Sequence, residues 1–320
     1  MSNLTQRILT AVVLLALFIP ALLVNTLWPF LLLTLLLIAA AGWEWSRLIG
    51  WTGWRAWASS ALCAVCSILS VLDFTLNPWI RSTGDHPLPW WWTWLAHVQL
   101  SLFGMTCLFW VAGVPWLLWG GAAFWIRLPQ WLRWGIGMVI LILAWVMLGA
   151  ARVMGVHFLL SALTLVWAAD IGAYVFGRAL GGKLTGGRKL APAISPGKSW
   201  EGALGGFIAV LLTGAVWIGF ERPWLLSLSA MRHSAFSWPS LYAILWLRGP
   251  IWFVAGLAAL TAMSVVGDLL ESLVKRAAGV KDSSGLLPGH GGVLDRIDAL
   301  LPTLPLAVLV ATAASGSGQA

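Results

Sequence analysis

Apolar runs long enough to cross a bilayer recur along this chain of 320 residues and leave little freedom in what it can fold into. Roughly 20 apolar residues in helical form span the hydrocarbon of a membrane. Such runs occupy Ile8–Val24, Leu27–Trp43, Trp57–Asp73, Trp134–Ala150, Val156–Gly177, Ala203–Phe220, Ile251–Val266 and Ala299–Ala313, and the Trp-rich stretch Trp90–Ile126 supplies one more crossing. A helix satisfies its own backbone hydrogen bonds in lipid, so all of these runs are expected to be helical. Composition excludes a soluble fold: 60% of the residues are hydrophobic and 9% are charged, where a soluble domain carries roughly 25% charge. The sequence predicts an all-α polytopic membrane protein of about nine transmembrane helices. The first run follows Arg7 without a small-x-small cleavage site and reads as a retained span. Cys63 and Cys66 form a C-x-x-C with no second Cys or His cluster nearby, and read as buried packing residues.

Charge gives the orientation. All five lysines fall in two basic loops, Arg178 to Lys198 and Lys275 to Arg296, and Arg127–Arg133 is basic as well. The positive-inside rule puts these loops in the cytoplasm. Two spans separate each from the next, so one side is allowed for all three. The count then places the N-terminus inside and the C-terminus outside, with active-site loops facing the cytoplasm.

The carboxylates are concentrated too. Five of the eleven acidic residues lie between Asp268 and Asp298, interleaved with Lys and Arg. Carboxylates mixed with cations beside a membrane suit a divalent metal shared with a polyphosphate, because hard cations take oxygen ligands. On a helix Asp268, Glu271, Ser272 and Lys275 fall at i, i+3, i+4 and i+7, one face. Asp268 directly follows an apolar span, where an acid calls for a partner or an ion. A Gly-rich connector follows, then Pro288-Gly-His-Gly-Gly-Val-Leu-Asp-Arg-Ile-Asp298, in which Asp295 and Asp298 share a face. The glycines let backbone approach a ligand closely. Gly197-Lys198-Ser199 imitates the end of a P-loop, but Pro192 stands where that loop needs Gly, and Ser195-Pro196 reads instead as the start of a helix with free N–H groups facing an anion.

Ser272-Leu-Val-Lys-Arg276 through Lys281-Asp282 to Pro288–Asp298 resembles the signature of the phosphatidate cytidylyltransferase (CDP-diacylglycerol synthase) family. Upstream, Asp170-Ile-Gly-Ala-Tyr174, Gly177-Arg178 and Ala191–Gly202 resemble the same family. Gly197 stands where that family usually has a second Lys, and Ser199 where it has Thr. The resemblance covers Asp170 to Asp298; the N-terminal half matches only as apolar spans. It implies the reaction CTP + phosphatidate → CDP-diacylglycerol + pyrophosphate, a step of phospholipid biosynthesis. It also implies two regions, a transmembrane region over residues 1–150 and a transmembrane catalytic region over residues 151–320.

Within that reading Asp268 and Asp295 are assigned as catalytic carboxylates converging on Mg²⁺, with Asp170 and Asp298 as alternative ligands and a second cation allowed. Lys275 and Arg296 join them as catalytic cations. Lys198, Ser199, Glu201, Arg276, Lys281, Asp282 and His290 are assigned to the substrates. Asp170 has a competing structural reading as the partner of Arg178. The expected partners are CTP, phosphatidic acid and the bilayer, with no nucleic acid; a homodimer is allowed. The expected location is a bacterial inner membrane. A CDP-alcohol phosphotransferase would need an Asp-Gly-x-x-Ala-Arg run that is absent here, and a transporter would put its charges near the bilayer midplane rather than at loop edges.

Overall fold

The computed structural model describes residues 3–82, 103–228 and 238–316. Residues 90–102 of the stretch expected to cross once, and Asp85, lie outside the described residues. The long helices are α1 (Asn3–Leu23), α2 (Trp28–Leu48), α3 (Trp54–Ser82), α4 (Phe103–Arg127), α5 (Gln130–Met154), α6 (Val156–Leu180), α7 (Trp200–Leu228), α9 (Pro250–Ala277) and α11 (Leu300–Gly316); α8 (Leu241–Leu247) and α10 (Leu294–Ile297) are short. Among the described residues eight helical stretches are long and apolar enough to cross a membrane, and α3 adds a further 29-residue helix over the expected span Trp57–Asp73. The helices outrun the apolar runs. In α9 the run Ile251–Val266 continues in helix to Ala277, so the carboxylates at 268 and 271 ride on the last turns of a rigid rod.

Hydrogen bonds between distant helix ends sort the bundle into two faces. On one, Trp45 Nε1 donates to Arg133 O (3.0 Å), Gln130 Nε2 to Ile49 O (2.8 Å) and Arg276 Nε to Ile194 O (3.2 Å). On the other, Arg152 Nη2 donates to Val24 O (2.8 Å), Trp238 N to Met154 O (3.0 Å) and Arg248 Nη2 to Ala313 O (2.9 Å). Successive helices alternate between these faces. The turn from α5 to α6 is made at Gly155 alone, whose φ of 133° only glycine adopts without strain. All five lysines lie on the first face.

The closest packing is between α6 and α7. Ala169, Ala173 and Gly177 recur every four residues on α6, and Gly202 and Gly206 do so on α7. A methyl group on Gly172 would meet Gly205 O, and one on Gly206 would meet Ala169 O, so the two backbones touch. Small residues at this spacing are what let helices associate in lipid, where burial of apolar surface supplies no net drive.

One local expectation is corrected. Ser195-Pro196 does not start a helix. Lys189–Ala191 (β1) and Ser195–Ser199 (β2) form an antiparallel hairpin, and helix begins only at Trp200. Pro192 and Pro196 push the residues before them towards extended backbone, and a proline is tolerated on a two-stranded ribbon because an edge needs no donor.

Candidate active site

Three carboxylates meet at the end of α9. One oxygen each of Asp268, Glu271 and Asp298 lies within 4.8 Å of the other two. Helical spacing puts Asp268 and Glu271 on one side of α9, and the close approach at Gly267 brings in the third, since a methyl group there would collide with Asp298 O and Pro302. Glu271 is 2% exposed, and its Oε1 is buried without a hydrogen-bond partner. A buried, unpaired carboxylate oxygen is costly. Asp170, on α6, lies within electrostatic range of Asp268, Lys198 and Arg296. Lys198 Nζ is 2.7 Å from Asp268 Oδ2. The all-oxygen donor set and the orphaned oxygen fit a hard divalent cation.

Asp295 has a different environment. Lys275 Nζ lies 2.5 Å from Glu271 Oε2 and 2.7 Å from Asp295 Oδ1, bridging the two acids. Asp295 also accepts hydrogen bonds from Gly292 N (2.7 Å), Ser283 N (3.1 Å) and Ser283 Oγ (3.0 Å). Asp268 thus clusters with Glu271 and Asp298, while Asp295, expected beside Asp268, is held by Lys275 and the loop amides. Asp295 lies in α10, a single turn, and Asp298 directly follows it; Asp295 is turned back towards Lys275 and the loop amides.

Glu44 is a site residue that sequence reasoning passed over. It comes from α2 and is fully buried. Its Oε1 accepts from Ser284 Oγ (2.5 Å) and Val293 N (2.9 Å), and its Oε2 from Ser283 Oγ (3.1 Å) and Leu294 N (2.7 Å). Four donors satisfy it, and two of them are free N–H groups where α10 begins, the place a negative charge is favoured. The available signal was an acid directly after the apolar run Leu27–Trp43, between Trp43 and Trp45. From the other side Arg7 Nε donates to Gly289 O (2.9 Å) and Thr10 Oγ1 to Pro288 O (2.9 Å). The region 1–150 thus holds the signature loop of the region 151–320.

The hairpin supplies the opposite wall. Asp170, Lys198, Ser199 and Asp268 line a cleft of about 330 Å³ between α6, α7, α9 and β2. Ser199 Oγ accepts from Gly202 N (3.1 Å) and caps α7. Glu201 faces away from the cleft: its Oε1 accepts from Gly182 N, Leu184 N, Thr185 N and Thr185 Oγ1, and so shapes the 181–188 loop. Arg276 holds the hairpin turn at Ile194, and Arg296 holds His290 O through Nε and Nη2. Lys281 and Asp282 stand exposed on the loop, outside the cleft lining. Arg178 donates to Tyr174 Oη (2.9 Å), four residues back on the same helix, so the alternative pairing with Asp170 is not formed.

The chain matches the model of the cytidylyltransferase family over residues 5–314, well beyond the stretch legible by motif. It is 46% identical over 151 residues to the phosphatidate cytidylyltransferase of Haemophilus influenzae, covering 47% of this chain and 44% of that protein. To the phosphatidate cytidylyltransferase of Pseudomonas aeruginosa it is 40% identical over 174 residues, 54% of each chain. To that of Staphylococcus haemolyticus it is 39% identical over 161 residues, 49% of this chain and 50% of the other. The chain spans about half the length of the curated relatives it matches.

Proposed function

The chain belongs to the cytidylyltransferase family, and from that premise we propose that it transfers the cytidylyl group of CTP to phosphatidate, giving CDP-diacylglycerol and pyrophosphate. The observation that carries this reading is the carboxylate group Asp268–Glu271–Asp298, whose Asp268, paired with Lys198, lines a cleft at one membrane face. Two polyanions react, so the site must neutralise charge and align groups rather than provide a nucleophile. A phosphate oxygen of phosphatidate attacks the α-phosphorus of CTP in line, and the bond to the β-phosphate breaks as pyrophosphate leaves.

Asp268 and Asp298, with Glu271 behind them, are the residues that would hold Mg²⁺; bound there, the ion would neutralise phosphate charge and polarise the P–O bonds. Lys198 is partly exposed and bonded to Asp268, so it is placed to exchange that carboxylate for a phosphate. Lys275 keeps Glu271 and Asp295 oriented from behind. Ser199 and Glu201 position α7 and its preceding loop, and Asp295 orders the signature loop around Ser283 and Gly292.

The reading is tested with purified protein, radiolabelled CTP and phosphatidate vesicles. Label should pass to the lipid phase with one pyrophosphate released per transfer, EDTA should abolish turnover, and Mg²⁺ should restore it. CTP binding without lipid-soluble label would overturn the activity, and full turnover in excess EDTA would overturn the metal assignment. Because every lysine lies on the site face, the cytoplasmic side is the proposed one. In a variant without the native cysteines, Cys introduced at Gly182 or at Lys281, exposed on the loop that carries Ser283, should react with an impermeant thiol reagent only after lysis. Labelling in intact cells would reverse the orientation.

A further inference from the structure

A line of polar contacts joins α2 to the three-carboxylate group. Ser283 Oγ donates to Glu44 Oε2, and Ser283 N donates to Asp295 Oδ2 (3.1 Å each). Lys275 Nζ then bridges Asp295 Oδ1 and Glu271 Oε2. Glu271 is the member of the group whose other oxygen, Oε1, is unpaired. Every link is shielded: Glu44, Ser283 and Glu271 are buried, and the Lys275 and Asp295 side chains are 14% and 8% exposed. Water is therefore poorly placed to stand in for a broken link. The far end of the line is fixed to the bundle. Trp45, next to Glu44, is buried, donates through Nε1 to Arg133 O and meets Trp125 edge-on. A methyl group on Gly137 of α5 would collide with the Trp45 indole, so the two helices are in close contact there. The signature loop is packed as tightly on Glu44, since a methyl group on Gly292 would collide with both Ser283 Oγ and Glu44 Oε1. Val293 N and Leu294 N also donate to Glu44, so the residue before Asp295 is held by the same acid.

What this line controls is where the Lys275 ammonium sits. It has three donors, and it stands one helical turn from Glu271 on α9. Released from Asp295, it would be free to close on Glu271 Oε1 and neutralise the oxygen left open for a cation. A positive charge drawn closer also repels a divalent ion, and does so strongly where water is excluded. Asp295 pulls the ammonium to one side, and Asp295 keeps its place through Ser283 and the start of α10, both of which rest on Glu44. Building on the metal placement proposed above, we propose that Glu44 is a positioning residue: through Ser283 and Asp295 it keeps Lys275 off the open carboxylate oxygen and so sets the affinity of the site for Mg²⁺. Glu44 does not line the polar cleft and acts only through these partners. A helix of the N-terminal region thereby tunes a site whose carboxylates all come from the C-terminal region.

The test titrates Mn²⁺ into purified protein in detergent, without nucleotide or lipid, and separates bound from unbound ion by electron paramagnetic resonance. Glu44→Gln and Ser283→Ala should each weaken Mn²⁺ binding at least fivefold. Ser284→Ala is the control: it takes a different donor from the same acid, one with no bond to Asp295, and its affinity should stay within twofold of wild type. Each variant is measured at a temperature where its melting curve shows it folded. Should Glu44→Gln fail to fold, the two serine variants carry the comparison. Wild-type affinity in Ser283→Ala, or an equal loss in Ser283→Ala and Ser284→Ala, would overturn the proposal, because a general loosening of the loop gives the second result. In the transfer assay the half-saturating Mg²⁺ concentration should rise by the same factor, with kcat at saturating Mg²⁺ within threefold of wild type. A fall in kcat with an unchanged Mg²⁺ requirement would likewise overturn it. Wild-type protein that binds no Mn²⁺ would overturn the metal placement and this role with it. Wild-type protein that binds Mn²⁺ but transfers no cytidylyl group would count against the proposed reaction alone and leave the positioning role standing.

Discussion

Glu44 and the Asp268–Glu271–Asp298 group sit at the same face of the bundle, and the fold treats them oppositely. Glu44 is completely buried, yet each of its oxygens has two donors, all uncharged. The three-carboxylate group has Lys198 on Asp268 and Lys275 on Glu271, and still leaves Glu271 Oε1 without a partner. Glu44 and Glu271 are both buried acids; only Glu44 has its hydrogen bonding complete. A satisfied buried acid fixes structure, whereas a carboxylate group with an unpaired oxygen could hold a metal ion. Ser283 joins Glu44 to Asp295, donating its hydroxyl to the first and its N–H to the second, and Lys275 joins Asp295 to Glu271.

The sharpest way to break this comparison is Asp268→Asn. If the carboxylate group serves the reaction, the loss of one charge acting in the transition state should cost about 2.7–4 kcal/mol, a hundredfold or more in turnover. Stability without metal should hold or rise, because the change relieves repulsion from Asp298 and gives up only a partly exposed pair with Lys198, worth roughly 0–1 kcal/mol. Mg²⁺ should raise the melting temperature of wild type and fail to do so in the variant. Near wild-type turnover in a folded Asp268→Asn protein would remove that residue from the site.

Glu44→Gln is the complementary change, with a smaller effect on a different quantity. The amide nitrogen would face N–H and O–H donors, leaving at least one buried donor unpaired, so stability should fall by about 2–3 kcal/mol. Ser284→Ala, which removes one of the four donors, should cost about 1 kcal/mol on the same scale. Thermal unfolding in detergent separates these from Asp268→Asn. A Glu44→Gln protein as stable as wild type would mean that the signature loop does not depend on α2.

The contrast also marks how far the site was legible in the chain. Lys198, Asp268, Asp295 and Asp298 could be named because they sit in motifs of fixed local spacing, and helix periodicity put Asp268 and Glu271 on one face. Whether Asp295 or Asp298 joins Asp268 could not be read from an i, i+3 pair, because α10 is a single turn between two bends. Sequence assigns Glu201 to the substrates from its place in the stretch Ala191–Gly202; its partners in the structure are amides 16 to 19 residues upstream, gathered by a loop whose path only packing defines.

Sequence by itself determined the class, the spans and the crowding of charge at loop edges. These follow from terms that act residue by residue: the transfer of each side chain into lipid, and the demand that each span close its own backbone hydrogen bonds. The tertiary structure decided which carboxylates meet, that Ser195-Pro196 is strand rather than helix, and that an acid of α2 pins a loop some 240 residues away. The meeting of the carboxylates depends on the approach at Gly267, where a single methyl group would collide with Asp298 O and hold the two backbones apart.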